Sequence, residues 1–405
     1  MSTLTFPIEP EEASADRRSV LFPGLVGFYF VFRVCLTFLF FQADPVAGSM
    51  VNIGLGFGLL YGAVLYTAGD VREFAYPPNR IAPIRWIFAF LAFSLVSVAW
   101  SQTQSIAAAL AYWASMAADM VIVLLMLQRV NQERTIEGLM RGVVWGAGAL
   151  ALIAWCSPLT NDLRLGNDVF LHPNTLGREI AIATLIAQYL APRDAQFKWL
   201  GIGLAITLLR SLSKTSIVAF VAAECWYLAV NKQMSRKVKM GIAAGAAAVL
   251  ACFWSVIGRY LDAYNAAASG SQLETLTGRT ALWTAAISMS LERPWLGHGL
   301  YSFKTLIPTF GIFEPVHAHN DFIQQFFEFG VVGVLIAAGV YLSFFRHIRC
   351  SPASRLKQLA FAILIFAVFH GLADAAPLGL SYPFWLLTAF SICLAPSPAS
   401  EGRGL

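Results

Sequence analysis

The sequence predicts an all-α polytopic membrane protein with about twelve transmembrane helices and one long polar loop. Three observations carry that prediction. Of 405 residues, 58% are hydrophobic and 13% are charged, about half the ~25% charge of a soluble domain. Apolar runs follow one another almost without a break, each close to the ~20 residues that a bilayer crossing needs. One stretch, Gly258 to Phe322, departs from the pattern by being polar and long. A loop of that length inside a compact protein is usually functional or disordered.

In chain order the spans are read at 20–42, 46–68, 82–100, 105–127, 136–156, 174–191, 196–209, 215–231, 238–257, 323–345, 356–374 and 378–395. The first follows a mixed-charge segment, residues 1–19, and lacks a small-residue cleavage site, so it reads as a retained span. The seventh is short, and Pro383 interrupts the twelfth. Residues 396–405 read as a disordered cytoplasmic tail. The expectation is therefore a single transmembrane domain, 20–395, with the loop 258–322 inside it and no separate soluble domain. The six cysteines form no Cys-x-x-Cys pair and read as small buried hydrophobes.

Charge sets the orientation, because cytoplasmic loops are enriched in Lys and Arg. With the N-terminus inside, most of the 28 basic residues fall on inner segments. Both termini are then cytoplasmic and the long loop is periplasmic. The net charge of +5 is thus a topology signal rather than a nucleic-acid signal, and no nucleic-acid partner is expected. Eight basic residues break the bias: Arg164, Arg178, Arg210, Lys214, Arg259, Arg279, Arg293 and Lys304. All follow residue 160. If their loops converge they make a cationic pocket at the outer boundary, suited to phosphate. Ordinary loop charge is the plain alternative.

Four motifs occupy these outer loops. His172-Pro173-Asn174-Thr175-Leu176-Gly177-Arg178 opens the sixth span, with Pro in the first turn and Asn174 or Thr175 able to cap. Its outward backbone N–H groups beside Arg178 form a plausible anion site or a simple helix start. Arg210-Ser211-Leu212-Ser213-Lys214-Thr215-Ser216 puts two cations and four hydroxyls in one tight turn, an expensive arrangement near lipid without an anionic partner. Gly278-Arg279-Thr280 precedes a stretch in which Trp283, Ile287 and Leu291 share a face, the pattern of a helix lying in the membrane interface. Arg279 near the start of that helix opposes the helix dipole unless an anion is bound.

The fourth motif, His317-Ala318-His319-Asn320, precedes the tenth span. A histidine that titrates near neutrality can take a proton from a hydroxyl nucleophile. His-x-His is also a metal-ligand spacing, but other ligand candidates are scattered and cations surround the motif, so no metal is expected. Structural or capping histidines remain an alternative. Asp119, Glu179, Glu224 and Asp374 sit in or near spans, and such acids suggest an ion pathway and hence a transporter or flippase of an anionic lipid-linked solute. Basic neighbours such as Arg141 or Arg178 could equally neutralise them. The polar cluster has no cytoplasmic counterpart, which disfavours alternating access.

These motifs, in this order, resemble the O-antigen ligase and polymerase family of bacterial membrane glycosyltransferases. The likeness covers about residues 165 to 345. It takes in Ser213-Lys214-Thr215, Gly278-Arg279-Thr280-Ala281-Leu282-Trp283, Arg293-Pro294-Trp295-Leu296-Gly297-His298-Gly299 and Gly330-Val331-Val332-Gly333. The resemblance implies a GT-C-like helical bundle in the bacterial inner membrane, acting at its periplasmic face without cofactor or metal. Donor and acceptor would be glycans on undecaprenyl diphosphate. A flippase and a chain-length regulator of the same pathway are expected partners, beside the bilayer itself. Arg279, Arg210, Lys214 and Arg178 would hold the diphosphate. His319 would be the base, with His317, His172, Asn174 and Asn320 in support. Many members have Arg where this chain has Lys214, a difference that looks nearer to exopolysaccharide polymerases than to ligases.

Overall fold

The computed structural model describes residues 10–40, 45–68, 77–128, 132–160, 163–166, 171–230, 235–237, 239–241, 244, 276–309, 315, 317–375 and 382–395. Most of the predicted ninth span, loop residues 258–275 with Arg259, Glu314, and the tail 396–405 lie outside them. The longer elements among the described residues are all helices: α1 Pro10–Phe40, α2 Pro45–Ala68, α3 Ala82–Val96, α4 Ile106–Leu127, α5 Gln132–Cys156, α6 Pro173–Leu190, α7 Gln196–Ser211, α8 Lys214–Val230, α9 Leu276–Ser290, α10 Asp321–Cys350, α11 Arg355–Gly371 and α12 Phe384–Cys393. All but α9 fall on predicted spans. By length and composition, five described segments can cross a membrane: Met50–Ala68, Ala82–Trp100, Ile106–Leu127, Gln132–Cys156 and Asp321–Cys350. The protein is therefore a multi-pass helical membrane protein.

Several boundaries differ from the sequence reading. α1 begins at Pro10, so the charged segment before the apolar run is helical from there on. α11 stops at Gly371, leaving Asp374 beyond the helix, where its carboxylate accepts from Ala375 N at 3.0 Å. α12 starts only at Phe384, directly after Pro383. Cys35 is buried as expected, but Cys156, Cys225 and Cys350 are exposed. They sit on helix faces that no other described helix covers.

Lipid offers no hydrophobic drive for helix association, so close backbone approach has to supply it. α1 and α5 pack through glycines: a Cβ on Gly142 would overlap the Gly24 carbonyl, and one on Gly27 would overlap Leu139. The intramembrane acids find local partners. Asp119 on α4 meets Arg33 on α1 at 2.7 Å, both buried, and Glu224 accepts from Gln188 at 2.6 Å. Breaking a buried pair of this kind costs about 3–5 kcal/mol, because a lone charge stays behind.

α10 is kinked at Gly330, which has φ +62°. A kink frees backbone groups that must be satisfied inside the protein. Residues 294–299 satisfy them. Val331 N donates to Pro294 O at 2.8 Å, Val332 N to Trp295 O at 3.2 Å, His298 N to Phe327 O at 3.0 Å and Gly299 N to Glu328 O at 2.8 Å. The His298 ring is buried with both nitrogens engaged, by Gln102 and by Met289 O. The Arg293–Gly299 motif is thus the plug of a broken helix, and its rigidity fixes the N-terminal half of α10 that carries the next motif.

Candidate functional site

The site is built where α10 begins and α11 ends. Asn320 caps α10, its Oδ1 accepting from Phe322 N and Ile323 N at 2.9 and 3.0 Å. Its amide nitrogen donates to Leu372 O at 2.7 Å, tying the two helices together. Just before it, His319 adopts a left-handed φ of +50°, a conformation that His tolerates better than most residues and that often marks functional sites. The turn lets His319 N donate to His317 Nδ1 at 3.3 Å. The two rings lie 4.2 Å apart.

His319 Nδ1 meets Asp374 Oδ1 at 3.1 Å. A carboxylate on Nδ1 fixes the tautomer that leaves Nε2 free to accept a proton, the logic of a His–Asp dyad. His370, one helical turn before Asp374, places Nε2 3.9 Å from Oδ2, beyond hydrogen-bond range. Burial, and then the neighbouring His319, push the His317 imidazole down to about 3. His317 therefore stays neutral at ordinary pH and serves as an acceptor for the His319 backbone rather than as a charged group.

Arg279, in the first turns of α9, donates from Nη1 to Ala373 O at 2.6 Å, one residue from Asp374. α9 is held by Trp283 Nε1, which donates to Ala318 O at 2.7 Å. The buried face of α9 is Leu282, Ala286 and Ser290, packed towards Phe303 and Phe327. Of the row that the sequence reading gave as the apolar face of an interfacial helix, Ile287 and Leu291 are exposed, whereas Trp283 is partly buried against this cluster.

The second half of the predicted site lies on α6, α7 and α8. His172 caps α6, its Nδ1 accepting from Asn174 N at 3.3 Å, so the cap falls to His172 and not to Asn174 or Thr175. Asn174 Oδ1 instead accepts from Arg164 Nη2 at 2.7 Å and from Ser213 Oγ at 3.1 Å. Gly177 lets the α7–α8 turn approach, since a Cβ there would come 2.7 Å from the Ser213 Cβ. Arg210 donates to Leu163 O at 2.7 Å, and Lys214 is exposed at the first position of α8. Arg178 departs from expectation: it is 1% exposed, bound to Glu179 at 2.8 Å and placed 5.4 Å from the Tyr382 ring. Its charge is balanced within the helix bundle, since a buried guanidinium needs a carboxylate.

The two halves lie near each other, since the charge of Arg178 and the His172 ring both help to depress the His317 imidazole. Sequence reasoning took Asp374 as an acid of a possible ion pathway and not as a partner of His319. The signal was present in His370-Gly371-Leu372-Ala373-Asp374, an acid just past the end of an apolar helix. His317, His319 and Asp374 offer ligand atoms within 4.8 Å of one another and form the one metal-capable set among the described residues. In the same cluster His319 Nδ1 is bonded to Asp374 and His317 Nδ1 accepts from the His319 amide. The cluster sets an imidazole against a carboxylate, next to an arginine.

Residues 199–338, from α7 into α10, match the family model described as O-Antigen ligase. Over 361 residues the chain is 25% identical to the exopolysaccharide production protein ExoQ of Rhizobium meliloti (strain 1021), a match covering 82% of this chain and 78% of that protein. These two matches support the O-antigen ligase/polymerase-like family, whose members are membrane glycosyltransferase-like enzymes, and a glycan-processing function.

Proposed function

We propose that the protein is a periplasmic-face, inverting, metal-independent glycosyltransferase. It polymerises undecaprenyl-diphosphate-linked oligosaccharide repeats into a surface or extracellular polysaccharide. The observation that carries this is the His319–Asp374 hydrogen bond, set one residue from the carbonyl that anchors Arg279. A hydroxyl oxygen of the acceptor sugar attacks the anomeric carbon of the donor, and its proton passes to His319 Nε2. The bond from the anomeric carbon to the phosphate oxygen breaks, and the diphosphate leaves with the electron pair. Arg279 stabilises the charge that develops there, with Arg210 and Lys214 contributing from the α7–α8 turn. Attack opposite the leaving group inverts the anomeric configuration.

The matched family model is named for ligases, which favours a second reading: transfer of the same lipid-linked glycan to lipid A-core. Arg279→Ala should abolish the polymer while the protein remains folded in the membrane. Normal polymer in that variant would sink the transferase reading. In a deletion strain, single-repeat products point to a lost polymerase, and long chains left on undecaprenyl diphosphate point to a lost ligase.

A further inference from the structure

The connection between α7 and α8 is two residues long, Leu212 and Ser213, and Leu212 turns it with a left-handed φ of +52°. Lys214 opens α8 directly after it, so the place of that cation is set by the place of the turn. A helix leaves its last carbonyls without partners of its own. At the end of α7, the loop before α6 supplies two of them. Leu165 N donates to Arg210 O at 3.3 Å, and Arg164 Nε donates to Ser211 O at 3.3 Å. In return Arg210 Nη1 donates to Leu163 O at 2.7 Å.

Arg164 reaches further than that cap. Its Nη2 donates to Asn174 Oδ1 at 2.7 Å, and the same oxygen accepts from Ser213 Oγ at 3.1 Å. One guanidinium thus holds the turn twice, at the Ser211 carbonyl and, through Asn174, at the Ser213 hydroxyl. The planar fork of an arginine can serve two acceptors at a fixed angle, whereas a lysine acts from a point. A positive charge at the C-terminus of α7 also suits the negative end of the helix dipole. Arg164 is held in its turn: its N donates to Thr160 Oγ1 at 2.9 Å, and Thr160 N donates to its O at 3.1 Å.

We propose that Arg164 is a positioning residue of the transfer site: it fixes the α7–α8 turn so that Lys214 stands where the departing diphosphate develops its charge. The proposal rests on the glycosyl-transfer reading and adds to it a residue that acts through another. Cations stabilise a leaving group best when they are in place beforehand, because no reorganisation is then needed as charge develops. Lysine gains most from such help, since its ammonium rides on a flexible stem and a fixed backbone narrows the space it samples. Arg210 differs, because it lies within α7 and is tied to Leu163 O directly. Arg164 does not touch the diphosphate in this scheme; its Nε and Nη2 serve Ser211 and Asn174.

The test uses the full-length protein in detergent, with inorganic pyrophosphate as the probe, its Kd as the readout and an unfolding curve recorded alongside. Arg164→Lys keeps the charge and loses the fork. It should weaken pyrophosphate binding by about tenfold, the loss expected for one or two hydrogen bonds to a charged group. Asn174→Ala leaves the guanidinium in place and cuts its link to Ser213, and should weaken binding by at least about threefold. In a Lys214→Ala background, adding Arg164→Lys should weaken binding by less than about twofold more, because the cation that the clasp positions is gone. Losses that multiply show Arg164 acting on the anion by itself and overturn the proposal. A wild-type Kd in Arg164→Lys overturns it too, as does a wild-type protein that does not bind pyrophosphate. Where Arg164→Lys does not fold, the same cycle run with Asn174→Ala decides. Turnover of the lipid-linked repeat unit in proteoliposomes separates the two claims. The expected pyrophosphate coupling with no polymer made by the wild-type protein refutes the transfer reading and leaves the positioning of Lys214. Polymer made by Arg164→Lys at the wild-type donor KM refutes only the positioning.

Discussion

A lone imidazole at a membrane surface rotates and samples both tautomers, so it makes a poor base. Asp374 removes that freedom from His319 by holding Nδ1 at 3.1 Å, and the left-handed backbone of His319 aims the ring. In the proposed reaction, Asp374→Asn keeps the shape and removes the charge that favours the productive tautomer and steadies the protonated ring. Turnover should fall by roughly 10²–10⁴-fold, the range typical of general-base assistance, with donor binding largely retained. His317 behaves differently. Burial holds it near 3, so it gains its proton only in strong acid and is neutral throughout pH 5–7. A pH–rate profile of His317→Gln should therefore keep any acid limb within pH 5–7 at the wild-type position, and a displaced limb would show that His317 titrates in turnover. The His-x-His pattern and Arg279 were legible as candidates because their types are rare in an apolar chain. Asp374 was visible as an acid but not as a partner, since a separation of 55 positions from His319 leaves no spacing rule to read.

At the scale of elements, the broken α10 explains why a loop motif lies so far from any chemistry. Gly330 takes φ +62°, and a Cβ there would meet the backbone of Trp295 and Leu296. Gly330→Ala thus strains the backbone and pushes the 294–299 plug off the carbonyls and amides it serves. The expected cost is about 1–3 kcal/mol from the dihedral alone, and more from the displaced hydrogen bonds. It should be read as a lowered unfolding temperature in detergent, with loss of activity following the loss of fold. A wild-type melting curve for Gly330→Ala would show that the kink adapts. Sequence periodicity located the helices well, because apolar runs have to match the bilayer. It missed the end of α11, and it did not name Leu282 and Ala286 as the packed face of α9. Both depend on what the partner surface offers, which hydropathy does not record.

Contacts among the described residues sort the loops into two sets. At one end Ser101 Oγ donates to Leu300 O at 2.6 Å, Arg164 Nε to Ser211 O at 3.3 Å and Asn320 to Leu372 O at 2.7 Å. At the other, Arg193 meets Glu137 at 3.1 Å and Arg355 donates to Tyr189 O at 2.8 Å. On the charge bias read from sequence, the first end would lie outside. The sequence could supply the bias because insertion itself reads Lys and Arg. Which loops touch was hidden, because contact depends on helix tilt and order around the bundle. Orientation is open to direct measurement in a cysteine-free background. Gln104 lies exposed at the end that carries the histidines, and Pro352 lies exposed at the opposite end. Gln104→Cys should react with a membrane-impermeant maleimide in intact cells whose outer membrane has been opened. Pro352→Cys should react only after the inner membrane is permeabilised. The reverse pattern would place the histidine pair in the cytoplasm, where a periplasmic polymerisation could not use it.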